Sequence, residues 1–204
     1  MKIRCEWCKQ DPLYVSYHDH EWGVPLHEDQ RLFEMIVLEG AQSGLSWLTI
    51  LKKRENYRNA FDHFNIEKVA SYTMDDINNF LANPGIVRNR LKVASAVKNA
   101  AAALRVIEKH GSLDAFLWRF VDYRPIQNRW KSVDAIPPET SVSKSMSRDL
   151  KKHGFSFIGP VTCYAFMQSI GMVNDHVEDC FRYAEIKKTG EITRRQNNKD
   201  GHAD

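Results

Sequence analysis

The apolar positions along the chain recur mostly at helical spacing. From Asp29, the stretch DQRLFEMIVLEGAQ has this spacing, and a break at SGLS separates it from a second helical stretch, WLTILKKRENYRNAF. The apolar face of the first stretch consists of Leu32, Phe33, Ile36, Val37 and Gly40. The pattern therefore predicts two helices joined by a short connection.

Helical patterns continue through most of the remaining chain. TMDDINNFLAN begins with Thr73 three residues before Asp76, which resembles a capping box. RNRLKVASAVKNAAAALRVIEKHG is the longest helical stretch, and Gly111 ends it as a C-cap would. Shorter helices are predicted at NIEKVASY, SLDAFLWRF, SVSKSMSRDLKKHG, GPVTCYAFMQSIG and NDHVEDCFRY. Since no alternating strand of useful length is found, the predicted class is all-α.

Three segments do not follow this pattern. Residues 1–28 are rich in aromatic residues and are broken by two prolines and a glycine, so they are not predicted to form one regular element. Residues 121–140 contain three prolines and are predicted to be a long loop. Residues 185–204 are polar and are predicted to be a disordered tail, which leaves residues 1–184 as a single folded domain.

Composition narrows the class of protein. The 204 residues are enough for one well-buried core or two small ones, and 43% hydrophobic with 27% charged residues is ordinary for a globular protein. The N-terminus lacks the apolar run of a signal peptide, and no window reaches the roughly 18 apolar residues of a membrane span. We therefore expect a cytoplasmic protein that is not bound to a membrane. A net charge of +3 permits nucleic-acid binding without predicting it.

The stretch FLANPGIVRNRLKV, residues 80–93, has the form of a helix-hairpin-helix. Pro-Gly makes a tight turn between two helices, and Gly85 lets the backbone approach a ligand closely. Such a hairpin directs backbone N–H groups and a helix N-terminus at a phosphate. The basic residues that follow are Arg88, Arg90 and Lys92. An ordinary helical hairpin with surface charges fits the same spacing, so the motif alone names no reaction.

Histidine and cysteine residues suggest a metal site. In HVEDC, His176 and Cys180 would lie on one face if the segment were helical, and they could supply half of a tetrahedral zinc site. The candidates for the other half are Cys5, Cys8, His18 and His20. Spacing does not choose among them, and the residues could also be unconnected. Because Pro-Cys-x-x-Cys and His-Glu-x-x-His motifs are absent from the sequence, a catalytic zinc is disfavoured.

Aromatic residues crowd the first 47 positions around one carboxylate. Glu39 ends an apolar helical stretch, where the helix dipole disfavours an anion. Rings and a carboxylate together can bind a flat cation. The aromatic residues are Trp7, Tyr14, Tyr17, Trp22 and Trp47. From these residues alone, a hydrophobic core with a solvated Glu39 is the better interpretation.

Several long motifs resemble one known family. They are CEWCKQDPLYVSYHDHEWGVP, LFEMIVLEGAQSGLSWLTILKKRENYR, NPGIVRNRLK and FSFIGPVTCYAFMQSIGMVNDH, followed by the His176 and Cys180 pair. Together they resemble the DNA-3-methyladenine glycosylase I family, a branch of the helix-hairpin-helix glycosylases. The similarity runs in order from about residue 3 to residue 182.

The resemblance implies a two-lobed all-α fold with a DNA cleft and one structural zinc that joins the two ends of the domain. The implied ligands are Cys5, His18, His176 and Cys180. Cys8 is unexpected in the family pattern, so a Cys5 and Cys8 arrangement remains an alternative.

The resemblance also implies an activity, which is excision of 3-methyladenine from alkylated double-stranded DNA. Glu39 would be the catalytic, base-recognising carboxylate, with Tyr17 and Trp47 stacking on the base and the other aromatics as further walls. The expected DNA contacts are Gln42, Gly44 and Leu45, with Leu45 as the wedge, and Gly85, Arg88 and Arg90 at the hairpin. No lysine nucleophile is implied, so the expected enzyme is monofunctional, and we expect it to act as a monomer.

Overall fold

The computed structural model describes residues 2–8 and 11–188. Within them, the long helices are α1 (Pro12–His20), α2 (Asp29–Gln42), α3 (Trp47–Ala60), α5 (Met74–Ala82), α6 (Arg90–His110), α8 (Ser141–Lys152) and α9 (Pro160–Ser169). The short ones are α4 (Ile66–Ala70) and α7 (Leu113–Trp118), and residues 181–188 are also helical. The strands β1 (Ile126–Gln127) and β2 (Val173–Asn174) pair in parallel, with Ile126 opposite Val173.

Helix α2 forms the centre of the fold, because ten consecutive residues, 32–41, are buried. It packs against α3, α6, α7 and α9. Helices α4 and α5 pack on α6, whereas α8 packs on α9. Two groups of helices thus lie on either side of α2, and the mostly helical class is confirmed.

Local signals explain where several helices begin and end. The capping box at Thr73 is present, since its side chain accepts from Asp76 N–H and the Asp76 carboxylate accepts from Thr73 N–H. Gly111 ends α6 with a φ of 87°, a backbone conformation that favours glycine.

The N-terminal segment differs from the prediction, because α1 occupies the middle of residues 1–28. Asp11 caps this helix by accepting from the N–H groups of Leu13 and Tyr14, and Pro12 occupies its first turn, where proline is tolerated. The expectation of an irregular segment was therefore wrong for residues 12–20.

The C-terminal segment also differs from the prediction. Residues 176–180 form a turn rather than a helix, closed by a hydrogen bond from Cys180 N–H to Val177 O. The final helix begins at residue 181 and continues past residue 184, with Ile186 buried. The predicted domain end at 184 is thus too early, and the remainder of the predicted tail, residues 189–204, lies outside the described residues. No helix in the described part of the chain has the length and apolar character needed to span a bilayer.

Candidate functional site

A cavity of about 370 Å³ opens between the N-terminal helices and α9. Helices α1 to α3 and the turn before α1 supply one wall, and the segment before α8, together with α9, supplies the other. The first wall is formed by Trp7, Tyr14, Tyr17, Trp22, Glu39, Gln42 and Trp47. The structure thus brings all six residues predicted for base binding to one cavity, and adds Gln42, which was predicted as a DNA contact.

Glu39 is the only carboxylate among the described residues that line this cavity. It lies in the last turn of α2, its side chain is buried, and its Oε2 atom has no hydrogen-bond partner. Burial raises the pKa of Glu39 to about 8, and the Ser169 hydroxyl opposes this shift. The interpretation of Glu39 as a solvated surface residue is therefore wrong, because the side chain is buried and its raised pKa favours the protonated form more than in an exposed glutamate.

The aromatic rings surround this carboxyl group. The Trp7 ring centroid lies 4.9 Å from those of both Tyr14 and Trp22, and the Tyr17 centroid lies 5.5 Å from that of Trp47. The indole N–H groups of Trp7 and Trp47 are buried without partners.

Three unpartnered polar atoms, Glu39 Oε2 and the two indole nitrogens, thus belong to residues that line one cavity. Such orphan atoms are rare in folded proteins and each carries a desolvation cost. A flat ligand with one donor and acceptors on its edge would satisfy them, and the rings would stack on its faces. A positive charge on that ligand would be attracted both by the rings and by an ionised Glu39.

The second wall was not predicted from the sequence. It consists of Val133, Ile136, Pro137, Pro138, Val161, Tyr164, Ala165 and Gln168. The first four belong to the segment predicted as a long loop, and the last four lie on α9. No local pattern marks them, because they reach the cavity only through tertiary packing.

A buried carboxylate, Asp175, holds this second wall together. Its Oδ2 accepts from the Tyr164 hydroxyl at 2.7 Å and from Gln168 Nε2 at 2.8 Å. Its Oδ1 accepts from Trp130 Nε1 at 2.7 Å and from Asn128 Nδ2 at 2.6 Å. One carboxylate therefore joins α9, the loop at residues 121–140 and the turn that begins at His176. Sequence reasoning missed Asp175, although NDHV was among the motifs behind the family resemblance.

The predicted metal ligands also lie together. Cys5, His18, His176 and Cys180 are all buried, and their ligand atoms lie within 4.8 Å of one another. Cys180 Sγ is 3.4 Å from His18 Nε2 and 3.5 Å from His176 Nδ1, and Cys5 Sγ is 3.7 Å from His176 Nδ1. Tetrahedral coordination with ordinary zinc–sulfur and zinc–nitrogen bonds requires nitrogen–sulfur separations of about 3.5 Å. The cluster can therefore hold a metal ion.

The outward-facing nitrogen of each histidine has a fixed partner. His18 Nδ1 lies 2.8 Å from Asp19 Oδ1, and Asp19 is in turn bound by Arg4. His176 Nε2 lies 3.1 Å from the carbonyl oxygen of Trp22. Such outer partners orient metal-binding histidines. A hydrogen bond between the two thiol groups raises the pKa of Cys5 and lowers that of Cys180.

The two other candidate ligands lie outside the cluster. Cys8 Sγ donates to the carbonyl oxygen of Cys5 at 3.2 Å, and His20 is exposed. His18 and His20 lie two residues apart on α1 and therefore point in different directions. The alternative Cys5 and Cys8 pairing therefore does not fit the cluster.

Two side chains that line the cavity also contact residues of the metal cluster. The Trp7 ring lies 5.3 Å from that of His18, and the Trp22 ring lies 4.6 Å from that of His176. The cluster therefore supports the back of the first wall as well as joining the two ends of the folded chain.

The loop from Gln42 to Ser46 projects from the edge of the cavity. Gly44 has a φ of 78°, and the Leu45 side chain is 41% exposed although it is large and apolar. An exposed leucine at the tip of a tight loop has the shape expected of a wedge.

The hairpin at residues 83–89 joins α5 to α6. The amide of Gly85 donates to Asn83 Oδ1, and that of Val87 donates to the Tyr57 hydroxyl, so neither is free for a ligand. A Cβ on Gly85 would lie 2.9 Å from Asn56 Cβ, so this glycine is required for close packing on α3. Arg88 and Arg90 are exposed, and their backbone N–H groups have no partner within the described residues. These two amides, rather than that of Gly85, are available to an anion.

The methyladenine glycosylase family matches residues 7–183. The chain is 48% identical over 180 residues to DNA-3-methyladenine glycosylase of Haemophilus influenzae, covering 88% of this chain and 97% of that one. It is 47% identical over 180 residues to DNA-3-methyladenine glycosylase 1 of Escherichia coli, covering 88% and 96%.

A solved structure shows the same fold with a ligand. A variant of 3-methyladenine DNA glycosylase I in complex with 3-methyladenine is 38% identical, with a TM-score of 0.85, covering 87% of this chain and 96% of that one. The resemblance seen in the sequence is thus confirmed over nearly all of the described residues, and the chain belongs to the methyladenine glycosylase family.

Proposed function

We propose that this protein is a base-excision DNA repair glycosylase that hydrolyses the N-glycosidic bond of 3-methyladenine in alkylated double-stranded DNA. It would release the free base and leave an abasic site. The observation that carries the proposal is the unpartnered Glu39 carboxyl group inside an aromatic cavity. Family membership and the complex of a relative with 3-methyladenine support it.

The lesion itself supplies much of the reactivity. Methylation at N3 places a positive charge on the purine and weakens its bond to the sugar. The enzyme must extrude the nucleotide, which costs a few kcal/mol and less for a damaged base. Leu45 would enter the duplex, and the basic hairpin would hold the phosphate backbone through Arg88 and Arg90.

In the cavity, Glu39 would accept hydrogen bonds from the exocyclic amino group, while Tyr17 and Trp47 stack on the base. A cationic base would lower the pKa of Glu39, so that the carboxyl group ionises as the lesion enters. Trp7, Tyr14 and Trp22 would complete the wall, and the indole N–H groups are donors for ring nitrogens.

Tight binding of the cationic base does not by itself accelerate the reaction, because it favours the ground state as well. Among the described residues that line the cavity, no second carboxylate and no lysine is present. The reaction would then depend on a labile bond and a selective cavity, and we propose a monofunctional enzyme that does not cleave the strand.

We propose that zinc occupies the Cys5, His18, His176 and Cys180 cluster. Four protein ligands leave no open position for substrate, so the ion would be structural. Zinc content of the purified protein, measured before and after chelation, tests this assignment. One zinc per chain is expected, and a metal-free protein with unchanged thermal stability would contradict it.

The direct test is release of free base from methylated double-stranded DNA. We expect the wild-type chain to release 3-methyladenine and Glu39→Gln to release it at least about tenfold more slowly, since removal of a base-recognising charge costs more than about 1.4 kcal/mol. Excision at the wild-type rate by a folded Glu39→Gln would remove Glu39 from the mechanism. Duplex binding without base release by the wild-type chain would indicate a non-catalytic DNA-binding protein.

A further inference from the structure

One lysine connects the hairpin to the end of α2. Lys92 lies in the first turn of α6, three residues after the hairpin residue Asn89. Its ammonium group donates to the carbonyl oxygens of Ala41 at 2.8 Å and Ser43 at 2.5 Å. Ala41 is in the last turn of α2, and Ser43 belongs to the loop from Gln42 to Ser46, called here the wedge loop.

The chemistry of a helix end explains these bonds. The last four carbonyl groups of a helix have no partner within the helix and carry partial negative charge. A lysine that binds two such oxygens restrains the chain where it leaves the helix.

The other restraints on the wedge loop are local. Leu45 N–H donates to Gln42 O at 2.6 Å, and Ser46 caps α3 by accepting from Thr49 N–H at 3.2 Å. Lys92 lies outside the loop and its two flanking helices. Among the described residues beyond these elements, it is the one whose side chain forms a hydrogen bond with the loop backbone.

The backbone of the same lysine belongs to the hairpin. Asn89 Oδ1 accepts from the N–H groups of Leu91 at 3.0 Å and Lys92 at 3.2 Å, which caps α6. The free amides of Arg88 and Arg90 flank this cap. A phosphate bound there would therefore contact the same helical turn whose side chain holds the wedge loop.

We infer that Lys92 is a positioning residue that couples phosphate binding at the hairpin to the placement of the wedge loop during extrusion of the damaged nucleotide. This inference rests on the proposed function. Lys92 itself does not line the cavity, so it acts through the loop and not on the base.

The test compares Lys92→Met with a matched control. Methionine keeps the apolar part of the side chain and removes the ammonium group. Lys98→Met on the same helix makes the same change in net charge at an exposed position that contacts neither the hairpin nor the loop. Lys92→Gln provides a second variant should Lys92→Met fail to fold.

Three quantities separate coupling from a merely structural role. The first is the rate of base excision from duplex DNA under single-turnover conditions, and the second is the affinity for free 3-methyladenine. The third is the rise in fluorescence of a 2-aminopurine placed beside the lesion, which reports unstacking of the bases. We expect Lys92→Met to lower excision by about tenfold or more and to reduce the fluorescence rise, because a misplaced loop fills the gap poorly. Affinity for the free base should stay within about twofold, since the cavity is unchanged. Lys98→Met should match the wild type in all three.

Excision by Lys92→Met at the Lys98→Met rate would overturn the inference while leaving the proposed function intact. An equal loss of free-base affinity would also overturn it, because the lysine would then support the cavity and not the loop. Failure of the wild-type chain to release any base would instead refute the proposed function.

Discussion

Two buried carboxylates have different surroundings: Glu39 lines the first wall of the cavity, whereas Asp175 lies behind the second wall and binds two of its residues. Asp175 accepts four hydrogen bonds, from Asn128, Trp130, Tyr164 and Gln168. Glu39 has an oxygen without any partner and a pKa raised to about 8 by burial. A fully bonded buried carboxylate stabilises the arrangement of its donors, whereas an unbonded one costs stability and is available to a ligand. The contrast distinguishes a structural site from a binding site without reference to any relative.

The largest expected effect comes from breaking the metal cluster. One of its four residues, His176, follows Asp175 directly in the sequence. Cys180→Ser should lose the metal and destabilise the fold by roughly 4 kcal/mol or more, since loss of a metal site belongs to the most damaging class of substitution. Calorimetry and metal analysis measure both effects. Because Trp7 and Trp22 contact the cluster, affinity for 3-methyladenine should fall as well. Cys8→Ser is the matched control and should retain the metal.

Neutralising Asp175 tests the structural carboxylate. Asp175→Asn keeps the shape of the side chain but turns one acceptor into a donor, which leaves at least one buried donor unpaired. We expect a loss of about 2–4 kcal/mol in the free energy of unfolding, as for a broken buried charged hydrogen-bond network. Chemical denaturation at neutral pH measures it. A variant as stable as the wild type would show that the four bonds contribute little.

Neutralising Glu39 should have the opposite effect on stability. Because folding raises the pKa of Glu39, the native protein holds a proton that the unfolded chain releases above its ordinary value of 4.5. The raised pKa therefore lowers the free energy of unfolding in a pH-dependent way. This loss of stability is absent at low pH, grows as the pH rises above 4.5 and levels off above about 8.

Glu39→Gln should thus be more stable than the wild type by about 1–3 kcal/mol near pH 7, with no gain near pH 4. Denaturation curves at both pH values check this prediction. A variant less stable than the wild type at pH 7 would mean that Glu39 has stabilising partners beyond the Ser169 hydroxyl.

The smallest effect concerns the unpartnered indole of Trp7. Trp7→Phe removes an N–H group that has no partner and retains most of the ring. We expect stability to change by less than about 1 kcal/mol, while affinity for 3-methyladenine falls by about three- to tenfold if the N–H donates to the base. Titration calorimetry measures the affinity. Trp130→Phe is a useful contrast, because its indole N–H is bonded to Asp175 and its loss should reduce stability instead.

Local patterns accounted for much of the fold. Helical spacing identified α2, α3 and α6, and Thr73 and Gly111 marked helix ends correctly, because capping and periodicity act over a few residues. The same reasoning did not predict α1. The aromatic residues and glycine of this segment did not indicate a regular element, whereas Asp11 and Pro12 begin a helix there. It also predicted a helix that contains His176 and Cys180, whereas both residues lie in a turn.

The sequence by itself determined the helical class, the family and the presence of an aromatic cluster near Glu39, since these depend on residue types and short spacings. Only the tertiary structure showed that the four ligands implied by the family resemblance converge, that Asp175 holds a second wall, and that Lys92 joins the hairpin to the wedge loop. Each of these depends on contacts between residues far apart in the chain. Burial is likewise a tertiary property, and it raises the pKa of Glu39 and leaves its Oε2 atom without a partner.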